Sequence, residues 1–254
     1  MLHAIVRKPS ESMEGCELTH LEREPIDVLR LRRQHARYVE LLVELGCEIH
    51  ELPAEPNMPD GVFVEDPAIV LDEVAVITRP GAVSRRGEGA SLARALQPWR
   101  ELLHIEEPGT LDGGDVILLG RTLYVGLSSR SNCTGIEQLQ RLLAPHGYKV
   151  RGVQVAGCLH LKSAACAIGQ DRVLIQPDWV DGSQFDGAEL LETHPAEVGA
   201  ANVVWLGESV IYPTAFPSTA AKLEASGLRV HRVEYDELAK AEGAVTCCSL
   251  IFRQ

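Results

Sequence analysis

The sequence predicts an α/β protein arranged as a five-fold ring of strand pairs, and three observations carry that reading. A strand–turn–strand pattern recurs five times at a spacing of about 40–50 residues. Helix-like segments with a single apolar stripe lie between the copies. The fifth copy lacks its second strand, and a strand of that form stands at the other end of the chain. Pairing the two would close a propeller-like ring. The pattern alone does not separate a ring from an open sheet, because any α/β chain contains strand pairs.

Taken in order, HAIVRKP (3–9) is the displaced second strand. Residues 10–25 carry no hydrophobic pattern and are long for a connection, which reads as a lid. A helix over Asp27 to Leu45 places Val28, Leu31, Tyr38, Leu42 and Leu45 on one stripe, and Gly46 is its stop signal. Pro-rich residues 52–59 form a loop inside one domain, since strands on both sides are needed for one ring. The first copy is VFVEDPAIVL (62–71), the turn Asp72-Glu73, and VAVITRPG (74–81). A helix over Gly89 to Leu103 leads to the second, GGDVILLG (113–120) and RTLYVGLSS (121–129). After a helix over Thr134 to Ala144 comes the third, LHLKSAACAIG (159–169), Gln170-Asp171 and RVLIQP (172–177). The fourth is ANVVWLG (201–207), Glu208-Ser209 and VIYP (210–213), followed by a helix over Ser218 to Ala225, Gly227 and a strand, LRVHRVEY. The orphan VTCCSLIF (245–252) ends the series, and residues 1–254 are expected to form a single catalytic domain.

Composition narrows the function. The 254 residues are 45% hydrophobic and 24% charged, which excludes a disordered chain. No apolar run reaches the roughly 18 residues of a membrane span. Lys plus Arg number 24 against 36 for Asp plus Glu, a net charge of −12 without a basic cluster. That balance argues against nucleic-acid binding and suits a small cationic substrate. Seven cysteines, an odd number without a CxxC pair or a secretory leader, are expected to be free thiols in a cytoplasmic protein without structural zinc.

Reactive residues recur at the starts of the first strands: Glu65 and Asp66, Asp112 and Asp115, His160, and Cys247. Equivalent positions in a cyclic repeat converge on its axis, so these residues can share a pocket. There a thiol could attack, an imidazole move protons and a carboxylate orient the imidazole. Each also has a plain structural reading: a core thiol, a satisfied core histidine, a glycine turn in LDGGD. Adjacent carboxylates in the apolar stretch VFVEDPAIVL are harder to explain that way, because burying either needs a cation or a donor.

Together VFVED, ITRPGAVSRR, TLDGGDV, YVGLSSRSN, LHLKS and TCCS stand in the order found in the dimethylarginine dimethylaminohydrolases, and the chain resembles that family from HAIVR to SLIF. The resemblance implies a five-bladed α/β-propeller (pentein) fold and the hydrolysis of N-omega-methylated arginine to citrulline and a methylamine, with no cofactor or metal. It places the nucleophile at Cys247, the general acid/base at His160 and its orienting partner at Asp112, where some relatives carry Glu. It sets Glu65, Asp66 and Asp60 at the substrate, Arg85 and Arg130 at its α-carboxylate, Leu18 in the lid, and the Ala241 carbonyl at the α-amino group. Gly61 departs from a larger residue in relatives. Arginine deiminases and amidinotransferases use the same residue set but are usually longer. A ribosome-binding factor with this fold lacks the catalytic residues, and neighbouring Cys247 and Cys248 are poorly placed to share a zinc ion. A homodimer is compatible with the sequence, which does not fix the oligomeric state.

Overall fold

The computed structural model describes residues 1–254, and its strands form five three-stranded sheets. The first contains β1 (Leu2–Arg7) and β2 (Cys47–Leu52); the second β3 (Ala68–Val70), β4 (Val74–Ile77) and β5 (Glu101–His104). The third holds β6 (Val116–Leu119), β7 (Thr122–Leu127) and β8 (Lys149–Gln154). The fourth holds β9 (Ala165–Ala167), β10 (Arg172–Ile175) and β11 (Glu189–Glu192), and the fifth β12 (Val204–Leu206), β13 (Ser209–Pro213) and β14 (Arg229–Val233). The last strand, β15 (Leu250–Arg253), returns to the first sheet and pairs antiparallel with β1, Ile5 opposite Leu250. The two orphan strands therefore meet, as the repeat requires.

Every sheet is an antiparallel pair with a third strand parallel to the middle one. A parallel neighbour needs a crossover. Four sheets obtain it from a helix: α1 (Val28–Glu44), α2 (Gly89–Leu96), α3 (Cys133–Leu143) and, after the one-turn α4 (Leu161–Ala164), α5 (Pro217–Ala225). A second one-turn helix, α6 (Asp236–Ala239), precedes the last turn of the chain. Asp27 caps α1 by accepting from the Arg30 N–H at 2.9 Å, a contact worth about 1 kcal/mol. The stripe expected on α1 is buried at Leu31, Tyr38 and Leu42, each contributing roughly 1.5–3 kcal/mol. Gly46, at φ +91°, ends the helix in the left-handed region that glycine adopts freely.

Two readings of the sequence are corrected. The helix over Gly89 to Leu103 stops at Leu96, because Pro98 disfavours further turns and residues 101–104 pair as β5 with β4. The first strands also start later than their apolar runs suggest: residues 64–67 are a turn, and Gly113–Asp115 and Val245–Cys248 are 3-10 turns. The third strand of each sheet, apart from β14, carries too mixed a pattern to be read from sequence. No helix is long and apolar enough to cross a membrane.

Candidate active site

The short turns that replace the starts of the first strands bring the reactive residues together. A circuit of hydrogen bonds links them, one step per sheet. The Glu65 N–H donates to the Cys247 carbonyl at 3.2 Å, and the Gly113 N–H to the Asp66 carbonyl at 2.8 Å. Leu161 N–H donates to Asp115 Oδ1 at 2.8 Å, and Asn202 Nδ2 to the Lys162 carbonyl at 3.1 Å. Thr246 N–H closes the circuit on Asn202 Oδ1 at 3.1 Å. Gly113 and Gly114 explain LDGGD: a Cβ at Gly113 would lie 2.1 Å from the Glu65 carbonyl oxygen, and one at Gly114 2.8 Å from His160 Nδ1.

One buried cavity at this junction is lined by Cys247, His160, Asp66, Asp60, Arg85, Arg130 and Ala241. Behind it, the fully buried Asp112 accepts from Gly81 N–H at 2.9 Å through Oδ1 and meets His160 Nε2 at 3.0 Å through Oδ2. Burial opposes a charge on His160, but Asp66, Asp112 and Asp115 outweigh it and raise its pKa to about 9. For Asp66 burial is likewise outweighed, by His160, Arg85 and Arg130, and its pKa falls to about 2. Burial, reinforced by Glu65 and Asp66, holds the Cys247 thiol well above its ordinary range. At neutral pH the site thus presents an ionised Asp66, an imidazolium and a neutral thiol. Asp66, Asp112 and His160 bring donor atoms within 4.8 Å of one another, yet Arg85 and Gly114 N–H already occupy Asp66 and the adjacent guanidinium groups oppose a metal ion.

Residues 10–25 reach the cavity at Glu17. The Glu17 N–H donates to Asp60 Oδ2 at 3.0 Å. Half-buried Leu18 packs against the hydrophobic cluster containing Met13, Phe63 and Cys247. Arg130 Nη2 donates to Thr19 Oγ1 at 3.0 Å, while its buried Nη1 makes no hydrogen bond and stands 3.7 Å from Asp112 Oδ2.

A family model described as N,N dimethylarginine dimethylhydrolase, eukaryotic, matches residues 21–187. The N(G),N(G)-dimethylarginine dimethylaminohydrolase of Pseudomonas aeruginosa is 35% identical to this chain across 98% of it and 99% of the relative. The chain belongs to the dimethylarginine dimethylaminohydrolase family. The Streptomyces coelicolor enzyme of the same name is 38% identical across 99% and 97% of the two chains. The solved Pseudomonas aeruginosa structure, a cysteine-to-serine variant complexed with citrulline, superposes with a TM-score of 0.94 at 34% identity and covers 98% of each chain. The N-terminal domain of ArgZ, a cyanobacterial arginine dihydrolase, shares the fold at a TM-score of 0.85 and 18% identity. The fold is accordingly the five-bladed α/β-propeller of the family.

Glu65 and Arg85 each have partners of their own in the structure. Glu65 does not line the cavity: its oxygens accept from Lys162 Nζ at 2.6 Å and Thr246 Oγ1 at 2.7 Å, facing a groove on the other side. Lys162 compensates the buried charge of Glu65. Arg85 lines the cavity, but Glu88 takes its fork at 3.1 and 2.8 Å, Asp66 a third donor at 2.6 Å, and the Phe63 carbonyl a contact at 3.3 Å. Sequence reasoning missed Glu88, Lys162, Asn202, Thr19 and Glu242. Lys162 stood two residues from His160, and Asn202 at the place in the fourth copy where the others carry reactive groups.

Proposed function

We propose that this chain, working as a single catalytic unit, hydrolyses N-omega-methylated arginine to citrulline and a methylamine through a covalent adduct on Cys247. The observation that carries the reading is the joint placement of Cys247, the His160–Asp112 pair and ionised Asp66 at one buried cavity that Arg130 also lines. Asp66 attracts the guanidinium, whose positive charge lowers the cost of ionising the nearby thiol. As the guanidinium seats, the Cys247 thiol releases its proton to solvent, His160 being already protonated, and the resulting thiolate forms a bond to the guanidinium carbon. Imidazolium His160 gives its proton to the substituted nitrogen as that carbon–nitrogen bond breaks, so an amine leaves instead of an amide anion. Neutral His160 then takes a proton from water attacking the S-alkylthiouronium carbon, and collapse returns the Cys247 sulfur and releases citrulline. Asp112 keeps the imidazole oriented through both steps. Arg130 suits the α-carboxylate, because its guanidinium lines the cavity and its Nη1 has no hydrogen bond to give up. In this reading the Ala241 carbonyl, at the cavity wall, accepts from the ammonium, and Leu18 contacts the substrate from the segment that closes over it.

The reading extends to a cytoplasmic setting, supported by seven free cysteines, and to a homodimer, which sedimentation would test. The deciding assay measures citrulline from asymmetric dimethylarginine, monomethylarginine and arginine in parallel. Release from the methylated substrates is expected. Turnover confined to unmethylated arginine would replace the reading with a deiminase.

A further inference from the structure

We propose that Glu242 is a positioning residue for the amino-acid end of the substrate, holding Thr19 against Arg130 and fixing the backbone beside Ala241. The proposal rests on the hydrolase reading above. Glu242 belongs to none of the sequence motifs, and two independent observations single it out.

The first is its backbone. At φ +55°, Glu242 is the one non-glycine residue of the chain in the left-handed region, where a Cβ is unfavourable. Such strain persists only where the surroundings enforce it, and it concentrates at binding sites. Here the enforcing contacts are backbone hydrogen bonds: Ala241 and Gly243 N–H both donate to the Leu238 carbonyl at 3.1 Å, and Glu242 N–H to the Ala239 carbonyl at 3.0 Å. The kink thus anchors Ala241, a wall of the cavity, to the end of α6.

The second is the side chain. Its carboxylate accepts from three consecutive lid amides: Thr19 at 3.0 Å, His20, and Leu21 at 2.7 Å. Successive N–H groups converging on one anion form a charge-assisted cradle. No other group accepts from these three amides. Thr19, fixed this way, accepts from Arg130 Nη2 through its hydroxyl oxygen, while Nη1 lies buried 3.7 Å from Asp112 Oδ2 without a hydrogen-bond partner. Two groups suited to an α-amino acid, the Ala241 backbone and the Arg130 guanidinium, are therefore set by one residue. Glu242 itself borders the cavity, while its carboxylate is taken up by the three amides. Without Glu242 the segment around Thr19 would sample open positions, and apparent affinity would fall with the fraction of closed lid.

The test uses Glu242→Gly and Glu242→Gln in the full chain. Glycine removes the carboxylate and also relieves the left-handed backbone, so the variant retains the fold; glutamine keeps the length and one acceptor oxygen but loses the charge and the second oxygen. Without substrate, amide exchange at Thr19 to Leu21 should quicken about tenfold in Glu242→Gly. With monomethylarginine, KM should rise about tenfold while kcat stays within about twofold, and Glu242→Gln should fall between this variant and wild type. Unchanged exchange, unchanged KM, or a loss of kcat as large as the rise in KM would overturn the proposal. A wild-type chain that turns over no methylarginine would instead sink the hydrolase reading, and the assignment of a substrate end with it.

Discussion

His160 Nε2 lies 3.0 Å from Asp112 Oδ2, and that contact belongs to a row of groups with alternating charge. Arg130 stands 3.7 Å from Asp112, His160 is 3.9 Å from Asp66, Asp66 is 2.6 Å from Arg85, and Arg85 is 2.8 Å from Glu88. All six are nearly or fully buried. Each ion is tolerable because its neighbours carry the opposite sign, so the row acts as a unit and single replacements will not be additive.

Protonated His160 should stabilise the fold in a defined pH window. Its pKa rises from 6.5 to about 9 on folding, so the contribution is fully present below the unfolded value and is lost as pH rises through about 9. Unfolding wild type and His160→Gln in denaturant at a series of pH values should show their stability difference narrowing between about pH 6.5 and 9.5. A constant difference across that range would mean that His160 is neutral in the folded protein.

Gly114 is expected to tolerate no side chain. A Cβ there would lie 2.7 Å from Asp66 Oδ1 and 2.8 Å from His160 Nδ1, and neither group can retreat because each is held by a buried ionic partner. Gly114→Ala should reduce kcat by at least about tenfold, since a displacement near 1 Å at a reacting group can cost about a hundredfold. Gly120→Ala, where a Cβ meets no atom within 4 Å but φ is +56°, is the control for backbone strain alone: stability falls by about 1 kcal/mol and kcat is kept.

The strand-pair repeat was legible because its apolar runs and turns recur, and the pairing of Ile5 with Leu250 follows from two orphan strands. The turns at the site were not. Glu65 and Cys247 sit in apolar stretches that read as strand, yet the backbone there is bent by contacts to neighbouring sheets that no local pattern encodes. For the same reason the split between Asp66 in the cavity and Glu65 on Lys162 needed coordinates. The partner of Arg85 was closer to hand: Glu88 lies three residues on, a spacing at which a helical turn brings side chains together.

The two arginines should respond differently to lysine. Arg130→Lys keeps the charge and loses the fork, so KM for methylarginine should rise about tenfold with a smaller change in kcat. Arg85→Lys leaves Glu88 and Asp66 competing for one ammonium. Because breaking a buried ion pair costs about 3–5 kcal/mol, its main effect should be a lower melting temperature. Equal KM values for wild type and Arg130→Lys would remove Arg130 from carboxylate binding.

Adjacent Cys247 and Cys248 pose the sharpest choice. The motif selects Cys247, and the 3-10 turn over Val245–Cys248, not strand alternation, separates the two thiols. Cys247 lines the cavity, whereas the Cys248 sulfur lies 2.9 Å from the Tyr235 hydroxyl in a fully buried setting. Burial raises both thiols, Cys248 to about 12, so in the free protein neither should show thiolate absorbance at neutral pH. A guanidinium beside Asp66 alters the potential at Cys247 first, and adding a substrate analogue that carries one should bring thiolate absorbance to lower pH in wild type but not in Cys247→Ser. Cys247→Ser should lose turnover, since a serine hydroxyl is far less ionised near neutral pH. Cys248→Ser should keep turnover and lose about 1–2 kcal/mol of stability from its packed site. Acid quenching during turnover, followed by mass mapping, should find the adduct on Cys247. An adduct on Cys248, or a fully active Cys247→Ser chain, would place the attacking sulfur one residue further on and outside the cavity, which would dismantle the mechanism.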